Sequence, residues 1–241
     1  FAVGFNFSLN DTIFNVADNN PESHFVWIDG WNQGQTNLKP ITYAMEQSSY
    51  LAGYLSAAYS TSKVIGTYGG LDIPAVTAFM DGFYYGVQQY NTDNGTDVKV
   101  LGWDPAKQKG LFTENFESLD DGRAFAQNLV DEGADIVMPV AGPVGLGSAA
   151  LASELGTDKL MIIGVDSDQY ESDTANAGVY LTSVLKNMDV TTFNAIKSVV
   201  DGTFEGGVTV GTLENEGVGL APYHDFDAAV PAELKAQIET S

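Results

Sequence analysis

The sequence predicts a doubly wound α/β protein, and three observations predict it. Apolar strand-like runs recur at roughly 25–35-residue intervals, with helical patterns between them. Several of those runs are apolar on both faces, which suits a parallel sheet covered by helices on each side. The chain has 241 residues, 44% hydrophobic and 11% aromatic, enough to build a core and too apolar to stay disordered.

Taken in order, FAVGF (Phe1–Phe5) reads as a buried strand, followed by a helical run over Asn10–Ala17. Strands are expected at His24–Asp29 and Ile41–Met45, then a helix over Ser48–Tyr59. A strand at Lys63–Gly69, a helix over Ala75–Tyr90 and a strand at Asp97–Trp103 come next. The stretch Trp103–Glu117 is mostly polar and lacks a helical period, so it reads as an exposed run after a chain crossing between two lobes. The later strands are Ala134–Ala141, Lys159–Asp166 and Val179–Leu185, and the later helices are Leu119–Glu132, Val144–Glu154 and Val190–Val200. Further crossings are expected near Leu185–Val190 and Gly217–Tyr223. The tail Pro231–Thr240 reads as a short helix with its proline in the first turn. The first five strands and the next three form two groups, giving lobes of 1–98 with 187–215 and 99–186 with 216–241. There is no internal repeat and no low-complexity tract.

Charge excludes several functions. Ten Lys plus Arg, of which Arg123 is the only arginine, face 32 Asp plus Glu, a formal net charge of −22. Nucleic acid is therefore not an expected partner, because neutralising phosphates takes clustered cations, and an anionic membrane surface is a poor one. Cysteine is absent, which removes disulfides, thiolate catalysis and thiolate metal sites. His24 and His224 are the only histidines, so a multi-histidine metal cluster is excluded. No apolar stretch reaches the roughly 18–20 residues of a spanning helix. Phe1 does not open a signal peptide, and the natural protein is expected to begin earlier. The acidity is spread along the whole length, and molar salt removes most of the self-repulsion it brings. A salt-loving source is expected.

In open α/β sheets, ligands bind beyond the carboxyl ends of the strands. The segments there are NFSLND with Asn6, Asn10 and Asp11, then EQSSY, GLDIP, AGPVGLG, DSDQ, and Lys186 at the end of VYLTSVL. They offer carboxylates, amides and glycine backbone, but no nucleophile–base pair. Asp11 has two readings, ligand contact or cap of the helix behind it. Asp166 and Asp168 exceed what a strand-end turn needs, although Asp168 could serve only as a cap. Ala141–Gly147 lacks the Lys of a phosphate loop and the spacing of a dinucleotide fingerprint, so its glycines bring backbone close to a ligand or to a packed helix. Phe116 precedes a helix start, and a lone Phe is ordinarily core. Lys186 ends an apolar strand in a chain poor in bases, and a partly buried Lys needs a carboxylate or hydroxyl partner.

Six stretches carry a resemblance: QSSYLAGYLSA (Gln47–Ala57), GGLDIPAVTAFMDGFYYGV (Gly69–Val87), DEGADIVMPVAGPVGLG (Asp131–Gly147), IGVDSDQ (Ile163–Gln169), LTSVLKNMDV (Leu181–Val190) and GVGLAPY (Gly217–Tyr223). Together, and in this order, they resemble the basic membrane protein (BMP) family of substrate-binding lipoproteins, the purine-nucleoside receptors of ABC transporters. The resemblance implies a type I periplasmic-binding-protein fold, two α/β lobes joined by three crossing strands. It further implies an extracytoplasmic, lipid-anchored monomer that hands nucleosides to a membrane permease, without catalysis, cofactor or metal. Phe116 would stack on the base, Gly142 would bring backbone to the ligand, and Asp166 or Asp168 would accept from ribose hydroxyls. Lys186 would contact the sugar, and Asp11 would face the ligand from the N-terminal lobe. The family's opening strand, with an Asp-Ser-Phe-Asn type motif, and its lipidated cysteine have no counterpart in this sequence, so the first segment of the N-terminal lobe is expected to be missing from it. The competing classes are a receptor for a sugar or other small polar ligand, a sensor of the same fold, and a nucleoside-cleaving hydrolase with a cation on Asp11, Asp166 and Asp168.

Overall fold

Most of the predicted runs become strands and helices close to their expected bounds. The structure, a computed structural model, describes residues 2–4 and 10–240. In chain order the elements begin with β1 (Ala2–Gly4), α1 (Asn10–Asn19), β2 (Phe25–Ile28), β3 (Leu38–Tyr43), α2 (Met45–Tyr59), β4 (Val64–Gly69) and α3 (Pro74–Asn94). They continue with β5 (Lys99–Leu101), β6 (Trp103–Asp104), β7 (Lys109–Gly110), α4 (Leu119–Asp131), β8 (Ile136–Val140), α5 (Gly145–Leu155), β9 (Met161–Asp166) and α6 (Gln169–Ser172). The last are β10 (Tyr180–Lys186), α7 (Met188–Val200), β11 (Thr209–Gly211), β12 (Val218–Leu220) and α8 (Ala232–Thr240). The ends of the strand expected over 1–5, and Asn6 beyond it, lie outside the described residues.

The chain divides into two compact units. The first comprises the residues up to Ala44 together with Lys186–Gly219; the second comprises Met45–Leu185 and the residues from Leu220 on. This division differs from the lobes drawn on the sequence, which put residues 45–98 in the first. Strand pairing is the reason. Ile65 of β4 sits opposite Ile136 of β8 and Val64 opposite Lys99 of β5, so β4 and β5 belong to the sheet of the second unit. The polar stretch after Trp103 does not follow a crossing, since Met45–Leu185 lies in one unit; it forms the antiparallel hairpin β6–β7, with Trp103 opposite Gly110.

In the first unit the sheet runs β1-β2-β3-β11, and every pair is parallel. Four consecutive buried residues of β2 show why it reads as apolar throughout. Phe25 and Trp27 pack with Ile13, Phe14 and Ala17 of α1, while Val26 and Ile28 pack with Ile41 and with Ala195 of α7. Alternate side chains thus feed a core on each face, as a doubly wound sheet requires.

The larger sheet has the order β12-β10-β9-β8-β4-β5, with β9, β8, β4 and β5 wholly in the second unit. Tyr68, Val137 and Ile162 from its strands join Ala126 and Leu129 of α4 and Ala149 and Ala152 of α5 in one core. On α2 and α3, glycine sets the helix spacing. A Cβ on Gly86 would lie 2.0 Å from the carbonyl oxygen of Tyr50, and one on Gly53 would lie 2.1 Å from that of Phe83. The small residues in the LAGYLSA and FMDGFYYGV stretches are therefore packing devices. The short strands β11 and β12 and the one-turn α6 carry too few residues for a sequence period to reveal them.

Candidate functional site

The side chains picked from the sequence fall into separate settings in the two units. In the second unit, Phe116 is half-buried rather than core. Its ring lies so close to Gly70 that a Cβ there would sit 2.3 Å from Phe116 Cε1. Gly142, at φ 52, comes next to the same ring, with a Cβ position 3.9 Å from Phe116 Cδ1. The turn before the ring is latched by Asn115. Its Oδ1 accepts from the backbone N–H groups of Glu117 (3.0 Å) and Ser118 (2.8 Å), and its Nδ2 donates to Thr113 O (2.8 Å) and Asp121 Oδ2 (2.9 Å). Ser118 then caps α4 by accepting from Asp121 N at 3.2 Å. The result is an aromatic ring with an exposed part, held by a rigid turn beside a glycine whose φ a side chain would strain. Gly147 of the same glycine run does something else: its Cβ position meets Leu119 O at 1.9 Å, so it serves helix packing.

Asp166 and Asp168 are in different circumstances. Asp166 ends β9, half-buried, at φ 68, with Leu185 as its strand partner. Asp168 is occupied: Oδ1 caps α6 by accepting from Tyr170 N at 3.2 Å, and Oδ2 lies 2.8 Å from His224 Nε2. Asp168 thus does cap α6, as one of its two sequence readings has it.

In the first unit, Lys186 at the end of β10 has the partner its burial demands. Its Nζ lies 2.9 Å from Asp29 Oδ2, with the Lys side chain 10% exposed and the Asp side chain 34%. The ammonium also lies 5.4 Å from the centroid of the Tyr43 ring. Tyr43 in turn shares a 2.7 Å hydrogen bond with Thr191 of α7. Asp29 has φ 55, in the left-handed region that Asp tolerates better than most residues. Gly30 follows because a Cβ there would fall 2.2 Å from the Trp27 ring. Asp11 lies exposed in the first turn of α1, where a carboxylate meets the positive end of the helix dipole. Asp29 and Tyr43 are thus the additions the sequence reading lacked. Among the described residues, no group of three or more His, Cys, Asp or Glu is arranged to hold a metal ion, and no helix is long and apolar enough to cross a membrane.

Burial, reinforced by the nearby charges of Asp29 and Asp189, pushes the Tyr43 phenol up to about 12 from its ordinary 10, against the hydrogen bond to Thr191. Between those two values the unfolded chain has lost a proton that the folded chain keeps. This contribution to stability is therefore complete below pH 10 and disappears as pH rises toward about 12. Denaturant unfolding at pH 9, 10.5 and 11.5 should show Tyr43→Phe losing less stability than the wild type over that window. Parallel losses in the two proteins would contradict this.

The two units and their parallel sheets are those of a solute-binding protein of the periplasmic-binding-protein type. The solved ABC transporter system solute-binding protein from Aeropyrum pernix K1 matches with a TM-score of 0.75 and 26% identity, over 96% of this chain and 64% of that one. A transcriptional activator of the comK gene from Bacillus halodurans shares the fold, with a TM-score of 0.79 at 19% identity over 99% of this chain and 75% of that one. The sequence profile of the Bmp family, described as ABC transporter substrate-binding protein PnrA-like, matches residues 1–240, and the chain belongs to that family. Among its relatives, the ABC transporter nucleoside-binding protein BmpA of Lactococcus lactis subsp. cremoris is 31% identical over 229 residues, 90% of this chain and 62% of that protein. Basic membrane protein A1 of Borrelia garinii subsp. bavariensis is 30% identical over 241 residues, 98% of this chain and 66% of that protein. The chain thus spans less than two thirds of these relatives' length.

Proposed function

We propose that the chain is the nucleoside-binding portion of an extracytoplasmic receptor that delivers its ligand to an ABC transporter permease, without catalysis. The observation that carries this reading is the half-buried Phe116 ring, clamped by Gly70 and the Asn115 turn next to Gly142. Such a ring suits the π-face of a base, and stacking of this kind contributes about 1–3 kcal/mol. The ribose needs acceptors and a donor for its hydroxyls. Asp166, at the end of β9, is an acceptor-only group, and Lys186, which the family resemblance puts against the sugar, is a donor-only group. Arg123, the chain's one arginine, is spent on Glu154 Oε1 at 2.8 Å, so an uncharged nucleoside fits better than a nucleotide. The relative from L. lactis is named as nucleoside-binding, which supports the ligand class. Attachment to the membrane through a lipid anchor and action as a monomer belong to the same proposal.

The test is calorimetric titration of the chain with adenosine, guanosine, inosine and uridine, with ribose and AMP as controls. Nucleoside binding with neither ribose nor AMP binding supports the proposal, and ribose binding alone moves the ligand class to sugars.

We also propose a saline setting, because a net charge of −22 on a 25.7 kDa chain is costly when unscreened. Unfolding midpoints should rise from 0.1 M to 2 M KCl. A protein most stable at low salt would refute the proposal.

A further inference from the structure

We infer that His224 is a positioning residue for the ligand-binding turn at the end of β9, acting through Asp168. The inference rests on the nucleoside reading above, in which Asp166 touches ligand and Asp168 does not.

His224 lies in the segment of the second unit that follows β12. This segment is tied to β10 by Ala221 N donating to Ser183 O at 2.9 Å and by Thr182 Oγ1 donating to Ala221 O at 2.7 Å. Four residues on from Leu220, the imidazole reaches the β9–α6 turn. Its Nε2 lies 2.8 Å from Asp168 Oδ2, and the two side chains are only 15% and 22% exposed. An acceptor-only carboxylate fixes the proton on Nε2, so the imidazole donates. The ring stacks on Tyr170 at 3.9 Å between centroids and 7° between planes. Tyr170 closes a loop of contacts by donating its hydroxyl to Asp225 Oδ1 at 3.1 Å.

This clasp exceeds what capping a four-residue helix requires. Asp168 would cap α6 with Oδ1 alone. His224 is also held at φ 43, a conformation a β-carbon resists, and such strain persists where surrounding contacts over-determine it. The consequence falls two residues upstream. Asp166 is itself in the left-handed region at φ 68, and only Ser167 separates it from Asp168. The far side of that turn is anchored by Gln169, whose N donates to Ser183 Oγ at 3.0 Å and whose Nε2 donates to Val165 O at 3.1 Å. With Asp168 held from His224, the aim of the Asp166 carboxylate is set before ligand arrives, which removes an ordering cost from binding.

Three variants separate this role from general packing. His224→Ala removes the donor; His224→Gln carries an amide N–H to about the place of Nε2; His224→Asn ends one carbon short. Hydrogen exchange at the Tyr170 amide in ligand-free protein, and affinity for the nucleoside panel above, are the readouts. The Ala and Asn variants should exchange faster at Tyr170 and bind about tenfold more weakly, and Gln should recover both. Equal exchange in wild type and His224→Ala, or a Gln variant no better than Ala, would overturn the inference. If the wild type binds no nucleoside, the functional reading fails, and the exchange comparison still decides whether His224 holds the turn.

Discussion

Replacing Phe116 by alanine should weaken nucleoside binding by about ten- to a hundredfold while leaving the fold intact. The magnitude follows from the loss of about 1–3 kcal/mol of base stacking. Stability should change little, because the ring is only half-buried. The turn that presents it is held by Asn115 and Ser118 through backbone and carboxylate contacts that the substitution does not touch. Phe116→Tyr keeps the π-face and should bind within a few-fold of wild type. Titration calorimetry on the three proteins measures this directly. An alanine variant that binds as tightly as wild type would show that the base lies elsewhere.

The second large effect is on stability. Asp29→Asn should destabilise the protein by about 2 kcal/mol, because it replaces a charge-assisted hydrogen bond to an ammonium that is only 10% exposed by a neutral one. The figure lies below the range for breaking a fully buried pair, since Asp29 itself is 34% exposed. Lys186→Met should cost less, as the carboxylate left behind can reach water. Asp29→Asn combined with Lys186→Met should recover much of the loss, because two uncharged side chains no longer need each other. Urea unfolding of the two single variants and the double variant closes the cycle. Additive losses would mean that the pair is not coupled. Both single variants should also bind nucleoside more weakly, and the double variant should not recover binding even where it recovers stability. That split separates the structural part of the pair from its part in the site.

How much of this was legible in the sequence depends on how far each feature reaches along the chain. The strands buried on both faces, such as β2 and β8, announce themselves as continuous apolar runs because both neighbours of the sheet are helices. The place of residues 45–98 in the second unit was not legible, because it rests on which strands pair. Nothing local to Val64–Gly69 says that it lies beside Ile136–Val140 rather than beside Ile41. Of the residues proposed for the site, Gly142, Asp166 and Lys186 follow from the rule that ligand groups stand at the carboxyl ends of strands, whereas Phe116 comes from the family resemblance alone. Applied to β2 as well, the same rule would have picked out Asp29, which follows Ile28 directly. Tyr43 and His224 were out of reach. Tyr43 matters because of a lysine 143 positions away, by 186 − 43, and His224 because of an aspartate 56 positions away. Asp168 shows the converse: its residue type and position suit a ligand contact, and only the position of His224 reveals that both of its oxygens are engaged.

The most direct test of the central claim is thermal unfolding of the wild-type chain in 2 M KCl, alone and with adenosine, guanosine, inosine, uridine or ribose in excess. A nucleoside at about 100 times its dissociation constant stabilises the folded state by about 2.7 kcal/mol, a clear rise in midpoint. The nucleoside reading predicts that rise for at least one nucleoside and none for ribose. A folded protein whose midpoint moves with ribose alone, or with none of the five, would contradict it.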